Sequence, residues 1–294
     1  LHRLIRRQRQ MCIRDRGKYR FAKDLYLSVL DRVERNDFQT LPYPLSKSLR
    51  AHGIPMILSN ISKDIHFAAK RFEPEYAGIA AENMWRFSSD TLSHFMDGDH
   101  LIHEVITADN RFFPQTLGNH INPGHSIEDA WFMLDSAEIN GHSESFADIF
   151  QMVLSTLDAG WDEQYGGILH FASVRGGEPD GDNSGFETEP MSVQLSGWGD
   201  KLWWPHSEAL YTTLRCYAQS GDARFLDWHE RVFNYAYSTF PNTDPNIREW
   251  VQIRERSGDA CEKVVALPVK DPYHVMRNLI LIIELLYKIA AGEQ

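Results

Sequence analysis

Cysteine, positive charge and long apolar runs are all scarce in this sequence, and each scarcity excludes something. Three cysteines in 294 residues, Cys12, Cys216 and Cys261, are too few and too far apart for a disulfide framework or a zinc cluster. A reducing, cytoplasmic setting is the simplest reading. The formal net charge of -11 argues against a nucleic-acid partner. The most apolar run, Leu279 to Ala291, is too short to span a bilayer and contains Glu284 and Lys288, so a buried helix and no membrane association are expected. No internal repeat is visible, which counts against an open solenoid. The histidine spacings match no zinc motif, so no metal and no cofactor are expected.

What is present is ordinary for a globular protein: 43% hydrophobic and 24% charged residues, enough for a core. The opening is the exception. LHRLIRRQRQMCIRDR, residues 1–16, holds six arginines and no secretory h-region. A basic tail can bind nucleic acid or a membrane surface. The preferred reading is different: the segment resembles translated foreign sequence joined near Gly17, so the native N-terminus is lost. Residues 17–294 are then one N-terminally shortened domain.

Helical periodicity dominates that domain. Phe21, Leu25, Val29 and Val33 recur every four residues and predict one amphipathic helix. A second apolar segment covers Leu45 to Ile65, with Pro55 kinking it or standing in its first turn. Further helices are expected over Glu75 to Phe95 after Pro74, His125 to Asn140 ending at Gly141, Ser143 to Asp158, Leu202 to Ser220, Ala223 to Tyr237, and Tyr273 to Ala290. That makes about eight, in four consecutive pairs. Strand-like pieces lie between them: Gly167 to Phe171 after the turn at Glu163 to Gly166, and a hairpin of Glu249 to Arg254 with Val264 to Leu267 around Gly258-Asp259. Arg175 to Pro190, with four glycines and five acidic residues, reads as a long functional loop. Paired helices without a solenoid repeat predict a closed α/α toroid.

Three segments set polar residues among aromatics. In Asn122 to Trp131, His125 opens a helix and Glu128 lies on the same face three residues on. The bland alternative is a capped helix with a core histidine. In Lys201 to Ala209, adjacent Trp203 and Trp204 point in different directions, so one can reach a cavity while the other packs. Trp204, His206 and Glu208 would form a carbohydrate subsite, or else a buried tryptophan pair. In Lys270 to Asn278, His274 again opens a helix after a proline, with Asp271 placed to orient it or an arginine; the alternative is a capped surface helix. Inner helices of an α/α barrel share one orientation. If all three helices are inner, His125, His206 and His274 converge at one mouth.

At these residues the chain resembles the N-acylglucosamine 2-epimerase family. NPGHSIEDAWFML at 122–134, GWDEQYGGILHF at 160–171, KLWWPHSEAL at 201–210 and KDPYHVMRNL at 270–279 carry the likeness, which runs from about Tyr19 to Tyr287. The third is the most specific and is similar to the N-acylglucosamine epimerases themselves. The resemblance implies an all-α (α/α)6 barrel with short β-hairpins in its loops. Six pairs are implied against four counted, so the first pairs are expected to be missing, and with them a substrate-binding arginine. An open barrel would expose apolar helix faces.

The activity implied is interconversion of N-acyl-D-glucosamine and N-acyl-D-mannosamine at C2, with His125 and His274 as the acid/base pair. Glu128 would orient His125 or a hydroxyl. His206 and Glu208 would bind hydroxyls or help ring opening. Trp131, Trp203 and Trp204 would wall the pocket, and Arg277 would hold the anionic intermediate. The partner is a free monosaccharide or amino sugar, with homodimerisation left open. Rival readings are an aldose–ketose isomerase or cellobiose 2-epimerase on the same scaffold, a glycoside hydrolase using Glu128 and Glu208, and an inactive sugar-binding module.

Overall fold

Glycine and proline punctuate the chain into helices of two kinds, and that difference positions the site. The computed structural model describes residues 2–41, 43–263 and 273–292. Its helices are α1 (His2–Glu34), α2 (Gly53–Phe72), α3 (Pro74–Asp90, extended by a π turn over Thr91–Phe95), α4 (Pro123–Asn140), α5 (Phe146–Gly160), the short α6 (Pro190–Gln194), α7 (Trp203–Ser220), α8 (Arg224–Thr239) and α9 (Tyr273–Ala291). The boundaries have local causes. Pro74 and Pro123 open α3 and α4, where a missing N–H costs no helical bond. Pro55 stands in the first turn of α2. Gly141 and Gly221 stop α4 and α7 in the left-handed conformation, at φ 78° and 71°.

Helices α2, α4, α7 and α9 pack against one another in that order, while α3, α5 and α8 each return along the helix before them. The first set forms the inner layer and the second the outer. Burial follows: α4 and α7 are buried almost all round, whereas α5 buries one stripe including Ile149, Val153 and Leu157. An outer helix needs only one apolar stripe; an inner one has no water-facing side.

Six short strands join in three antiparallel pairs: β1 (Leu49–Ala51) with β2 (Val105–Thr107), β3 (His120–Ile121) with β4 (Ala172–Ser173), and β5 (Lys201–Leu202) with β6 (Ile253–Arg254). Strands β1, β3 and β5 lead directly into α2, α4 and α7. These three inner helices therefore start from pinned strands, and their starts gather at one end.

Several expectations need correction. The Phe21, Leu25, Val29 stripe of α1 faces outward, with Phe21 72% exposed. The buried face is Tyr19, Tyr26 and Leu30 against α2 and α3. Tyrosines win because their hydroxyls find partners, Tyr26 on Ser62 at 2.8 Å and Tyr19 on Glu73 at 2.9 Å. Helix α1 also continues through Gly17 without a break. Helix α9 is only half buried: Leu285 faces α7, while Met276, Ile280, Ile283 and Leu286 are exposed. Apolar side chains are thus exposed on both α1 and α9. Of Gly167 to Phe171, only Ile168 makes a bridge, to Trp161; the strand is the next dipeptide, β4. Strand β6 pairs with β5, and its return contact is Arg254 with Ala260; Val264 to Leu267 lie outside the described residues. No helix among the described residues is long and apolar enough to cross a membrane.

Candidate active site

The first turns of α4, α7 and α9 meet around the indole of Trp204. Its ring centroid lies 5.6 Å from that of His125 and 5.2 Å from that of His274. Gly124 makes this approach possible: a Cβ there would fall 2.5 Å from the Trp204 ring. Trp203 turns the other way into the core, 6% exposed. The adjacent tryptophans therefore divide as their helical offset predicts, and Trp203 does not wall the pocket.

Each of the two imidazoles is backed by a buried glutamate. His125 Nδ1 lies 3.0 Å from Glu104 Oε1, and His274 Nδ1 lies 2.6 Å from Glu208 Oε1. Ionised carboxylates only accept, so both Nδ1–H groups donate. The side chains of His125 and His274 keep 29% and 17% exposure, while Glu104 and Glu208 have 3% and 0%. A rigid, dry carboxylate behind a partly open imidazole fixes tautomer and direction together.

Charge sustains the two glutamates. Burial pushes the Glu104 carboxyl up, but the charge and hydrogen bond of His125, with those of His52, outweigh it and hold it well below the usual range. Burial likewise opposes ionisation of Glu208, and the His274 hydrogen bond and the Arg277 charge overcome it. Glu128 goes the other way, raised to about 7 by burial and by the negative charge of Glu208, despite His274 and Arg277. The guanidinium of Arg277 bridges these two carboxylates, 2.9 Å from Glu128 Oε1 and in hydrogen-bond contact with Glu208. It lies over the rings of Tyr273 and Trp131, 3.9 Å and 4.9 Å from their centroids. Trp131 itself donates its indole N–H to Glu208 Oε2 at 3.0 Å.

The expected site residues therefore sort unevenly. His125 and His274 come together as the helix argument required, with Trp204 between them, but His206 does not join them. Glu128 does not orient His125; it faces α9, and Glu104, from the loop after α3, does that work. Glu208 is bonded by His274, Arg277 and Trp131 and has no exposed surface, so it braces the site from beneath. Arg277 likewise braces Glu128 and Glu208. Trp131 lies beneath the site, 3% exposed.

His206 is a clear departure. It is fully buried; its Nδ1–H donates to the Leu202 carbonyl at 2.7 Å, and its Nε2 accepts the Ile168 N–H at 2.9 Å. Burial pushes its pKa down to about 3. A neutral imidazole with both nitrogens spent on backbone ties the segment after the Asp162 to Gly167 turn to α7. Asp271 lies outside the described residues.

Sequence reasoning missed Glu104, His52 and Asp129. His52 precedes α2, fully buried, with its Nε2–H donated to Asp129 Oδ2 at 2.8 Å and its Nδ1 3.6 Å from Glu104 Oε2. Burial pushes His52 down, yet the hydrogen bonds to Asp129 and Glu104 raise it to about 9. The three come from different segments and share no local motif. The only available signal was the density of ionisable residues in an otherwise apolar stretch, Leu101-Ile102-His103-Glu104-Val105-Ile106.

A layer of inner helices thus brings two glutamate-backed imidazoles to one end. The sequence profile of the N-acylglucosamine 2-epimerase (GlcNAc 2-epimerase) family matches residues 19–278. The chain belongs to that family. It is 31% identical to the N-acylglucosamine 2-epimerase of Bos taurus, over 83% of this chain and 52% of that one. With the Homo sapiens enzyme it shares 30% identity, over 80% and 50%. The chain thus spans about half the length of the relatives it matches. Among solved structures, the cellobiose 2-epimerase of Spirochaeta thermophila DSM 6192 superposes with a TM-score of 0.63 at 17% identity, covering 86% of this chain and 58% of that one. A D-mannose isomerase superposes at 0.58 with 15% identity, covering 81% and 57%. These likenesses establish the α/α-barrel fold.

Proposed function

We propose that this chain carries the proton-transfer machinery of a sugar 2-epimerase that interconverts N-acyl-D-glucosamine and N-acyl-D-mannosamine. The observation that supports it is the pair His125 and His274, each with Nδ1 on a buried glutamate and both on one tryptophan. Inverting C2 requires the open-chain aldehyde, whose carbonyl makes the C2 proton acidic. One imidazole takes that proton through Nε2, leaving an enediolate. The other returns a proton to the opposite face. Each such group contributes roughly 10²–10⁴-fold. Trp204 offers an apolar face to the sugar C–H groups between the two rings. The positive field of Arg277 beside His274 favours the anionic intermediate.

The same reading makes residues 17–294 one catalytic domain working in the cytoplasm on a free amino sugar, and the net charge of -11 argues against a nucleic-acid partner. Homodimerisation fits the apolar faces of α1 and α9.

The test is deuterium incorporation at C2 of N-acetylmannosamine in D2O, followed by NMR. The chain is expected to exchange C2–H and form the C2 epimer. His125→Ala and His274→Ala are each expected to lose it. Exchange retained in both variants would reject the assignment. Return of the proton at C1 would give a ketose and reassign the chain as an aldose–ketose isomerase.

A further inference from the structure

The two glutamates behind the imidazoles are sustained by cations of different kinds. Beside Glu208 stands the guanidinium of Arg277, which keeps its proton at any ordinary pH. Beside Glu104 stands another histidine. His52 Nδ1 lies 3.6 Å from Glu104 Oε2, and Glu104 Oε1 lies 3.0 Å from His125 Nδ1. With its other nitrogen, His52 donates Nε2–H to Asp129 Oδ2 at 2.8 Å. Asp129, His52, Glu104 and His125 thus form one connected row of alternating carboxylates and imidazoles. Its first three side chains are 0%, 0% and 3% exposed, and only His125, at 29%, opens on the pocket.

We propose that His52 is a positioning residue for the proton transfer assigned to His125: as an imidazolium clamped between Asp129 and Glu104, it keeps Glu104 ionised and aimed at the Nδ1–H of His125. This role rests on the epimerase reading. Three observations support it. Asp129 and Glu104 are buried carboxylates on two sides of one ring, and a buried charge without a partner is costly. A neutral His52 that gives its Nε2–H to Asp129 would turn a bare Nδ1 lone pair on Glu104 Oε2, two acceptors with no proton between them. A second N–H, at Nδ1, removes that conflict. Burial opposes the extra proton, but the two carboxylates outweigh it and raise His52 to about 9.

Without that charge Glu104 would compete for the Nδ1 proton of His125, and the tautomer and direction of this ring would no longer be fixed. Glu208 has no such dependence, because Arg277 stays charged. The His125 arm is therefore the one that weakens in alkali, as His52 gives up its proton. Other groups close to the row do not change charge there. Burial pushes His120 and His170 down to about 4 and about 3, so both are neutral. His103, next to Glu104 in sequence, is bonded to Asp97 and to the Gly118 carbonyl. The Phe95 ring, 5.9 Å from His52, is uncharged, and Arg50 above it is paired with Asp90.

The deciding experiment has two arms. The first is the 15N imidazole spectrum of the full chain without sugar, with His52 recognised by its NOEs to Phe95. Expected are protons on both ring nitrogens at pH 7 and loss of one near about pH 9. The second is the epimerisation rate against pH and sugar concentration. The parent kcat should fall as pH rises through the same region. Asp129→Asn removes one of the two carboxylates that hold the proton, so the fall should begin at lower pH. His52→Asn keeps an N–H toward Glu104 without the charge, and should lower kcat roughly 10–100-fold with KM little changed. A merely structural role would not move the alkaline limb. Circular dichroism checks folding; if a variant unfolds, the NMR titration of the parent chain still decides. A single N–H on His52 at pH 7, or an unmoved pH profile and kcat in the folded variants, would overturn the role. A parent chain without C2 exchange would instead reject the epimerase reading, while the NMR result on the imidazolium would stand.

Discussion

His274 donates its Nδ1–H to Glu208, and Glu208 has no exposed surface at all. A carboxylate so placed cannot turn to follow substrate or solvent. It holds the ring in one tautomer and one direction. Glu208→Gln keeps the shape but makes the partner a neutral amide, whose N–H₂ can oppose the same Nδ1–H. The expected result is a fall in kcat of roughly 10²–10⁴-fold with little change in KM. The measurement is the epimerisation rate against sugar concentration. A fall confined to KM would show that Glu208 touches the sugar instead.

The contact of Gly124 with Trp204 makes a second prediction. A methyl group at 124 would overlap the indole and Pro205, at 2.5 Å and 2.8 Å, and neither lies at the end of a flexible chain. Gly124→Ala is expected to cost about 1–3 kcal/mol by overpacking, or to push Trp204 from between the two histidines. Either outcome lowers C2 exchange. A urea midpoint and the tryptophan emission spectrum separate them. A variant with parental stability, emission and exchange would refute the close packing.

Much of this architecture was legible in the sequence, and the part that was not has a physical explanation. Helices α3, α4, α7 and α8 declared their limits through Pro74, Pro123, Gly141 and Gly221, because capping chemistry is local. The meeting of His125 and His274 followed from the shared orientation of inner helices. Pairings across long separations were not legible. His125 had a glutamate three residues on, but that neighbour turned to Arg277, 149 positions away, while Glu104 came in from a loop 21 positions earlier. The stripe on α1 was misjudged for a related reason. Two apolar faces competed, and the hydroxyl partners on α2 and at Glu73 that decided between them are tertiary. His206 was misassigned because a histidine among aromatics reads alike whether its nitrogens meet a sugar or the backbone.

Lys201 and Asp162 form an ion pair with 0% and 1% exposure, at 2.8 Å, joined by Arg256. Burial pushes the Asp162 carboxyl up, but the hydrogen bonds from Arg256 and Lys201 outweigh it and hold it well below the usual range. Burial also pushes the Lys201 ammonium down to about 8, against the pull of Asp162. Asp162→Asn strands a buried cation and is expected to cost about 3–5 kcal/mol. Adding Lys201→Met should recover much of that loss. The sign with pH follows from the lowered carboxyl. Its stabilisation is fully present above the ordinary aspartate value of 3.8 and is lost as pH falls toward the folded-state value. Urea midpoints followed from pH 5 down to pH 2 should therefore fall, below pH 3.8, more steeply for the parent chain than for the double variant. Parallel curves would show that the pair contributes nothing.

His206 separates support from chemistry. Its Nε2 accepts the buried N–H of Ile168 at 2.9 Å, and its ring stacks on Tyr235 with centroids 5.1 Å apart. Replacing it by alanine leaves that N–H unpaired and a cavity beside Tyr235 and Phe240. An unpaired buried donor costs about 1–3 kcal/mol, and the cavity adds to it. His206→Ala is therefore expected to lower the urea midpoint while C2 exchange, per folded molecule, stays within about tenfold of the parent, since removing a proton-transfer group would cost roughly 10²–10⁴-fold. A normal midpoint with exchange abolished would mean that this imidazole meets the sugar after all.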